Sequence, residues 1–549
     1  MWSWGLAATD TPHTVEMNTD MDSFIDRISE HNSITWFHNL KFDGMFILYW
    51  LLTNDYLYVD SKYGADKGTF KTLIDGMGKF YSVTVRWRNG HTTEFRDSWK
   101  KLPMSAKKVA VAFKLAEGKG SIDYRKTRPV GYEPTPEEWD YLRRDVSIIA
   151  QAMNEVLASG MTKLTVASDA MAEYKRILND KSFAAAFPIL SPEMDSEIRR
   201  AYRGGYTYGP KRFQSQVTRS GLVLDVNSLY PSVMVKDMLP YGEPEWCEGK
   251  VLPSESHPLT IFSITFTAKL KADHIPVIQI KGNNMFGATE YLESIDEPTT
   301  LMITNVDLAL YEKQYDLTIL AYGGGWRFRA ARGMFKEYIE KWSKIKENST
   351  GGKREIAKLH LNALYGKFAS NPTITGKYPV MDNGVVKLKR SQDETRDPVY
   401  TAMGVFITSY ARSLIINSAQ DNFSVFAYCD TDSLHLLCDD VPSGIDIHPT
   451  RMGAFKLEYT FSRAFYIRPK AYLEELHTFP CSGVEIGPNH SGHSEACKFV
   501  THIAGLPEDV TMPLTFADMS DNKVFSGKLT PKSVPGGIVL VDIPFRLKL

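Results

Sequence analysis

The sequence predicts a multidomain chain of α/β and α+β units. Three observations carry this. The chain has 549 residues, and at roughly 100–200 residues per domain that corresponds to about three to five domains. Apolar residues make up 43% and charged residues 23%, so each unit can bury a core and the chain is not mainly disordered. Strand-like and helix-like patterns alternate from one end to the other, with no repeat or low-complexity tract. Lys plus Arg (64) nearly cancels Asp plus Glu (65), leaving a net charge of −1. This excludes a uniformly basic polyanion binder, and any polyanion site must come from local clustering. The five cysteines, Cys247, Cys429, Cys438, Cys481 and Cys497, form no CxxC pair, which fits a reducing compartment. No apolar run approaches the length of a membrane span, and MWSWGLAATD lacks the basic and apolar regions of a signal peptide.

In chain order, WSWGLAA, ITWFHNL and YSVTVRW read as strands. Pro134 to Ser159 reads as a long helix, opened by a capping residue, a proline and early acids in Thr135-Pro136-Glu137-Glu138. The apolar run Leu222–Leu224 ends at Asp225 and reads as a buried strand with an acid at its tip. Residues of about 240 to 333 carry short scattered strands and Gly/Pro-rich turns, as an insertion would. Residues 334–369 hold eight Lys/Arg against four acids and read as two helices joined at Gly351-Gly352. Asn383-Gly384 between strand-like runs predicts a β-hairpin whose second arm carries Lys387, Lys389 and Arg390. VFAYCDTDSLHLL reads as strand, turn, strand, and a mixed segment closes the chain.

Three distant elements can form one site. Asp225 is the first. Asp430-Thr431-Asp432 is the second; on an extended chain, acids at i and i+2 point to the same side. Buried clustered carboxylates call for a cation, and hard oxygen ligands with open positions suit Mg²⁺ completed by substrate phosphates. Two such ions about 3.5–4 Å apart can serve both the attacking and the leaving oxygen. The third element is REIAKLHLNALYGKFAS. On a helix, Arg354, Lys358, Asn362 and Tyr365 fall within about 80° of one another. Cations on such a stripe suit a triphosphate, and a tyrosine at its end suits a base or sugar. Gly366 leaves room for a close approach. Taken singly, each element has a plainer account: a solvated turn for the DxD, which also occurs in nucleotide-sugar transferases, and a solvated basic face with a core tyrosine for the helix.

The order of DVNSLYPSVM, KLHLNALYGKFAS, YCDTDS and KAY resembles motifs A, B, C and KxY of family B DNA polymerases. YRGGYT, DVNSLYP, LNALYGKFASNP and VPGGIVLVD look like the protein-primed bacteriophage branch, and the likeness runs over nearly the whole chain. The resemblance implies an N-terminal ribonuclease H-like 3′–5′ exonuclease domain followed by a right-hand palm, fingers and thumb with two family-specific insertions. The implied boundaries are 1–165 exonuclease-like, 166–236 palm, 237–333 first insertion, 334–369 fingers, 370–401 hairpin insertion, 402–504 palm and 505–549 thumb. It implies two Mg²⁺ ions, with Mn²⁺ as a substitute, held at Asp225, Val226 and Asp432, with Asp430 as the adjacent acid. Tyr230 matches a steric gate against a 2′-hydroxyl. Lys346, Arg354, Lys358, Asn362 and Tyr365 match nucleotide-facing positions. Gly366 and Phe368 match DNA-facing positions, Lys470 and Tyr472 the primer-stabilising pair, and Tyr202, Gly204 and Gly205 the YxGG linker motif. The implied partners are template and primer DNA, dNTPs and a terminal protein contacted by the insertions, with strand displacement from the hairpin and action in the cytoplasm of a bacterial host.

For the exonuclease, Asn39 and Asp43 in HNLKFD match the second acidic motif, and Tyr141 and Asp145 in YLRRD match the third. His38 and Phe42 match single-strand-holding positions, and Lys126 a lysine that aids the reaction. The first motif, a DxE on an opening strand, is absent, and WSWGLAA resembles the strand that normally follows it. The expectation is weakened excision and an exposed sheet edge or gap. Cys481, His490, His493, Cys497 and His502 cluster without a standard zinc spacing, and dispersed surface histidines are the expectation.

Overall fold

The computed structural model describes residues 3–60, 66–126, 128–129, 131–280, 291–476, 499–506, 511, 514–519, 523–526 and 528–546. Cys481, His490, His493 and Cys497 fall outside the described residues, whereas His502 lies within them.

In the N-terminal unit a five-stranded sheet runs in the order Ser33–Phe37, Thr92–Asp97, Phe80–Arg86, Thr69–Ile74, Leu57–Tyr58. The helices Leu40–Thr53 and Pro136–Ala158 belong to the same unit. Thr135 caps the second helix in a full capping box: its side chain accepts from Glu138 N, and the Glu138 carboxylate accepts from Thr135 N. Among the described residues, Trp4–Leu6 and Glu16–Asn18 pair only with each other. Ser33–Phe37 is thus an edge strand whose outer side meets no other strand among the described residues. A cavity of about 1020 Å³ opens there, lined by Gly5, Leu6, Ile34, Trp36, Leu142 and Val146 among others. Ile34 is 53% exposed. A sheet edge and gap of the kind anticipated from sequence thus lie here among the described residues.

The second sheet has seven strands in the order Phe499–Ile503, Ala471–Leu476, Phe455–Arg468, Gly221–Val226, Ser433–Leu436, Phe426–Asp430, Thr207–Tyr208. Every neighbouring pair is antiparallel. Leu222, Leu224, Leu434 and Leu436 pack in one core with the helix Thr401–Asp421. Val223, Tyr428, Ala464 and Tyr466 form a separate cluster. Alternate residues of Gly221–Val226 therefore enter different cores.

The region read as short scattered strands is instead a four-stranded sheet of long ones: Leu239–Cys247, Tyr315–Ala331, Leu259–Leu270 and Ser294–Thr304. Register shifts after Tyr241, Phe262 and Phe266 break the apolar alternation and hide the strand lengths from a pattern reading. The basic segment forms two helices, Lys336–Asn348 and Gly352–Phe368. A Cβ on Gly352 would lie 2.5 Å from the Phe113 ring, so only glycine fits this close approach. Thr373–Asp382 and Val385–Thr395 form the expected hairpin, with Asn383 and Gly384 both at positive φ (50° and 74°), as a type I′ turn requires. Tyr378 of the hairpin stacks on Tyr58 of the N-terminal sheet at 5.6 Å.

One buried ion pair joins the helices Asn305–Gln314 and Thr401–Asp421 and ties the YRGG segment to them. Arg412 donates to Asp307 Oδ1 at 2.7 Å and to the carbonyls of Arg203 (2.6 Å) and Gly204 (3.1 Å), with both charged groups buried. Arg412→Ala removes the direct ion-pair partner of the buried Asp307 carboxylate. It is expected to cost about 3–5 kcal/mol, read as a lowered urea midpoint.

Candidate active site

Sheet register sets the acids side by side. Asp225 pairs across from Ser433, and Val226 N donates to Asp432 O at 2.9 Å. Burial first, then Asp432 and Glu458, push Asp225 up to about 8. Burial, with Asp430 and Glu458 adding repulsion and Lys470 opposing, pushes Asp432 up to about 6. The extended-chain expectation for Asp430 and Asp432 does not hold. Thr431 has φ 64° and turns the chain, so the two acids meet different partners. Asp430 accepts from Lys470 Nζ at 2.6 Å and from Thr207 Oγ1 at 2.9 Å, while Asp432 joins Asp225.

The turn is held from behind. Thr431 N donates to Tyr206 O at 2.8 Å, and a Cβ on Gly205 would lie 2.8 Å from Thr431. Gly204 has open space about it, its carbonyl bound by Arg412. Two charged residues were not singled out from sequence. Lys456 lies across from Asp225, and Glu458 hydrogen-bonds the Asp225 carboxyl; the pair are joined at 2.6 Å. The i, i+2 charges in FKLEYTF were their only signal, and nothing local told which strand they would face.

The cations gather around Lys346, and Lys456 acts on both Lys346 and Asp225. Burial, then Arg354, Lys358 and Lys456, hold the Lys346 ammonium below its usual range, and it donates to Ser228 Oγ at 3.2 Å. Arg354 donates to Lys346 O at 3.2 Å, and Lys358 pairs with Glu355 at 2.9 Å. Tyr230 and Tyr365 stack with centroids 4.1 Å apart, and burial raises both phenols. Tyr202 is half-buried in the same neighbourhood. Asn362 is exposed, and a Cβ on Gly366 would meet nothing within 4 Å.

Phe368 does not face a ligand. It is fully buried against Phe183, Phe187 and Phe335. Its place at i+4 and i+7 from Leu364 and Leu361 puts it on the helix's apolar stripe. Lys470 occupies a tight turn at φ 61°, with its N–H donating to Tyr428 OH at 2.8 Å. The Tyr472 ring packs on Tyr428 and His435, each at 5.3 Å.

The profile of the family described as DNA polymerase type B, organellar and viral, matches residues 25–135 and 123–443. The chain belongs to this family. It is 40% identical over 561 residues to the DNA polymerases of Bacillus phages PZA and phi29, covering 100% of this chain and 96% of each relative. It is 32% identical over 542 residues to that of Streptococcus phage Cp-1, covering 96% of this chain and 90% of the relative. Phi29 DNA polymerase complexed with primer-template DNA superposes with a TM-score of 0.92 at 40% identity, over 100% of this chain and 96% of that one. The ternary complex with primer-template DNA and incoming nucleotides gives 0.90 with the same identity and coverage. The right-hand polymerase fold expected from sequence is thereby established, and the enzyme is a DNA-directed DNA polymerase.

The N-terminal acids of this polymerase form a second, weaker cluster. Burial, with Asp97 and Asp145 nearby, pushes Asp43 up to about 7. Asp145 pairs with Lys119 at 3.3 Å, and its Oδ1 is buried without a hydrogen-bond partner. Lys119 pairs with Asp145 and Lys100 with Asp97 at 3.8 Å, whereas Lys126 is exposed and bonded to Glu138 at 3.1 Å. Tyr141 OH shares a hydrogen bond with Tyr124 OH. Asn39 sits at φ 78° with its N–H on Asp97. The His38 nitrogens engage Ser98 Oγ and Met104 O, and Phe42 packs on Phe46. Among the described residues, no group of three or more His, Cys, Asp or Glu is arranged to hold a metal unaided.

Proposed function

We propose that this polymerase extends a primer 3′-hydroxyl on a DNA template by a two-metal mechanism, starts from a terminal protein, and displaces the strand ahead of it. The observation that carries the mechanism is the pairing of Asp225 with Asp432, with Lys456 acting both on Asp225 and on Lys346 of the Lys346–Arg354–Lys358 cluster. Two buried carboxylates that repel each other, with open positions, fit divalent ions completed by substrate phosphates. Asp225, Asp432 and the main chain of Val226 would hold Mg²⁺, with Mn²⁺ as a substitute. Held there, such ions would supply Lewis-acid chemistry to the attacking hydroxyl and the leaving pyrophosphate.

The chain's own groups do the rest. Lys358, with Lys346 and Arg354, neutralises the triphosphate. Tyr365 supports the base and sugar, and Tyr230 closes the space a 2′-hydroxyl would need. Asn362 borders the nucleotide and Gly366 the DNA, and Tyr202, Gly204 and Gly205 carry the turn that presents Asp432. Asp430 fixes Lys470, which with Tyr472 faces the primer end. In the phi29 ternary complex the polymerase binds primer-template DNA and incoming nucleotides, which supports this reading of the cleft. The sheet of 237–333 and the hairpin of 370–401 are the surfaces assigned to the terminal protein and to strand separation. The site of action is the bacterial host cytoplasm, in keeping with the phage relatives.

Lys358→Ala is expected to raise the dNTP KM at least about tenfold while primer–template affinity stays within about twofold, measured by single-nucleotide extension. An unchanged KM would remove Lys358 from the nucleotide site. Excision by the N-terminal unit is proposed to be severely weakened: among the described residues no DxE pair stands on a strand beside Ser33–Phe37.

A further inference from the structure

Behind the acids lies a buried polar cluster that the proposed reaction leaves unused. Four strands present a front row across one face, Asp430, Ser433, Asp225 and Lys456, each paired with the next. The adjacent row, about 7 Å back along the strands, is Tyr428, His435, Val223 and Tyr459. Into this second row comes Glu474, from the strand that follows the Lys470 turn. Its carboxylate is fully buried. It accepts from Tyr459 OH at 2.6 Å, from Tyr466 OH at 2.7 Å and from His435 Nδ1 at 2.7 Å. Ala464 lies across from Glu474, and its small side chain leaves room for the group.

A buried carboxylate is costly unless several donors satisfy it. Here the donors come from the adjoining strand Phe455–Arg468 and from Ser433–Leu436, which lies beyond Gly221–Val226, so the charge fixes how these strands sit against one another. The cluster reaches the front row by two routes. His435 Nε2 lies 3.4 Å from Ser433 Oγ, next to the acids. Tyr428, packed on the rings of Tyr466 and His435, takes the Lys470 N–H on its hydroxyl. The Lys470 ammonium in turn grips both oxygens of Asp430, at 2.6 and 2.8 Å.

We propose that Glu474 is a positioning residue: through Tyr459, Tyr466 and His435 it sets the Lys470 turn against Asp430, and thereby sets the grip on the primer terminus. This rests on the reading of Lys470 and Tyr472 as primer-facing. Glu474 touches neither substrate nor metal. Its effect passes through Lys470, so the two residues must be energetically coupled.

The test is a double-mutant cycle on the full chain, with primer–template affinity read by fluorescence anisotropy and dNTP KM by single-nucleotide extension. Glu474→Leu is expected to weaken primer–template binding about tenfold with dNTP KM within about twofold. Glu474→Gln, which keeps shape and an acceptor, is expected to recover most of the loss. Lys470→Ala is expected to lose a similar amount, and adding Glu474→Leu to it to lose little more. Multiplying losses in the double variant, or normal binding by Glu474→Leu, would overturn the proposal. If Lys470→Ala itself binds normally, the primer-facing reading fails, and the inference with it. If Lys470→Ala is weak but the Glu474 variants bind normally, only the inference fails. Should Glu474→Leu not fold, Tyr459→Phe combined with Tyr466→Phe removes two donors at constant volume, and normal binding by that variant overturns the proposal.

Discussion

Replacing Asp432 with Asn is expected to lower nucleotide incorporation by at least about 10³-fold while primer–template affinity changes less than about threefold. Asn keeps the volume and the main-chain bond from Val226 but removes one of the two charges that would hold the ions. Lys358 and the basic helix are untouched, so the triphosphate and DNA surfaces stay intact. Extension assays at saturating dNTP, with anisotropy for DNA binding, decide the matter, and unimpaired extension would take Asp432 out of the mechanism.

The same substitution carries a stability consequence of opposite sign. Asp432 and Asp225 are held at about 6 and about 8, above their unfolded values. A carboxyl whose folded pKa is raised keeps its proton where the unfolded chain has lost it. It therefore weakens the fold progressively as pH rises from about 4 through those values. Asp432→Asn removes one such group and relieves its neighbour. The metal-free variant is expected to melt higher than the parent at pH 8 and no higher at pH 4, by differential scanning fluorimetry. Activity and stability thus trade against each other at this pair.

What could be read from sequence divides along physical lines. Elements with a local signature were legible: the Thr135 capping box, the Asn383-Gly384 turn, and the strand–turn–strand about Asp430. The grouping of Asp225, Asp432 and the basic helix was legible only as a constellation, because each part alone has a plainer account. Misreadings arose where a non-local fact decides. The positive φ of Thr431 sends Asp430 to Lys470, and a period-2 rule cannot see it. Phe368 lies on a helix stripe whose core partners come from the distant Phe183 and Phe187. Glu458 and Lys456 were invisible because their importance is a matter of sheet register with Asp225. Lys119 and Lys100 pair with the N-terminal acids in place of Lys126, whose side chain is tied to the Glu138 of a helix cap. The long insertion strands were obscured by bulges.

The second large effect expected is a near absence of excision. The polypeptide of residues 1–549, given labelled single-stranded DNA and Mg²⁺, is expected to release terminal nucleotides so slowly that Asp145→Ala changes the residual rate less than about threefold. In an intact two-metal hydrolysis site the same change would cost about 10² or more, because residues that act as a unit fail as one. Charge is the cause. Asp145 is partly neutralised by Lys119, and Asp43 keeps its proton up to about 7, so at neutral pH these two acids together offer little negative charge beside Ser33–Phe37. Raising the pH from 6 to 8 ionises Asp43. Whatever excision exists should therefore rise over that window, opposite to the fall expected if a protonated Asp43 were the active form. Rapid release at pH 7 that Asp145→Ala abolishes would overturn the prediction and would mean that carboxylates outside the described sheet complete the site.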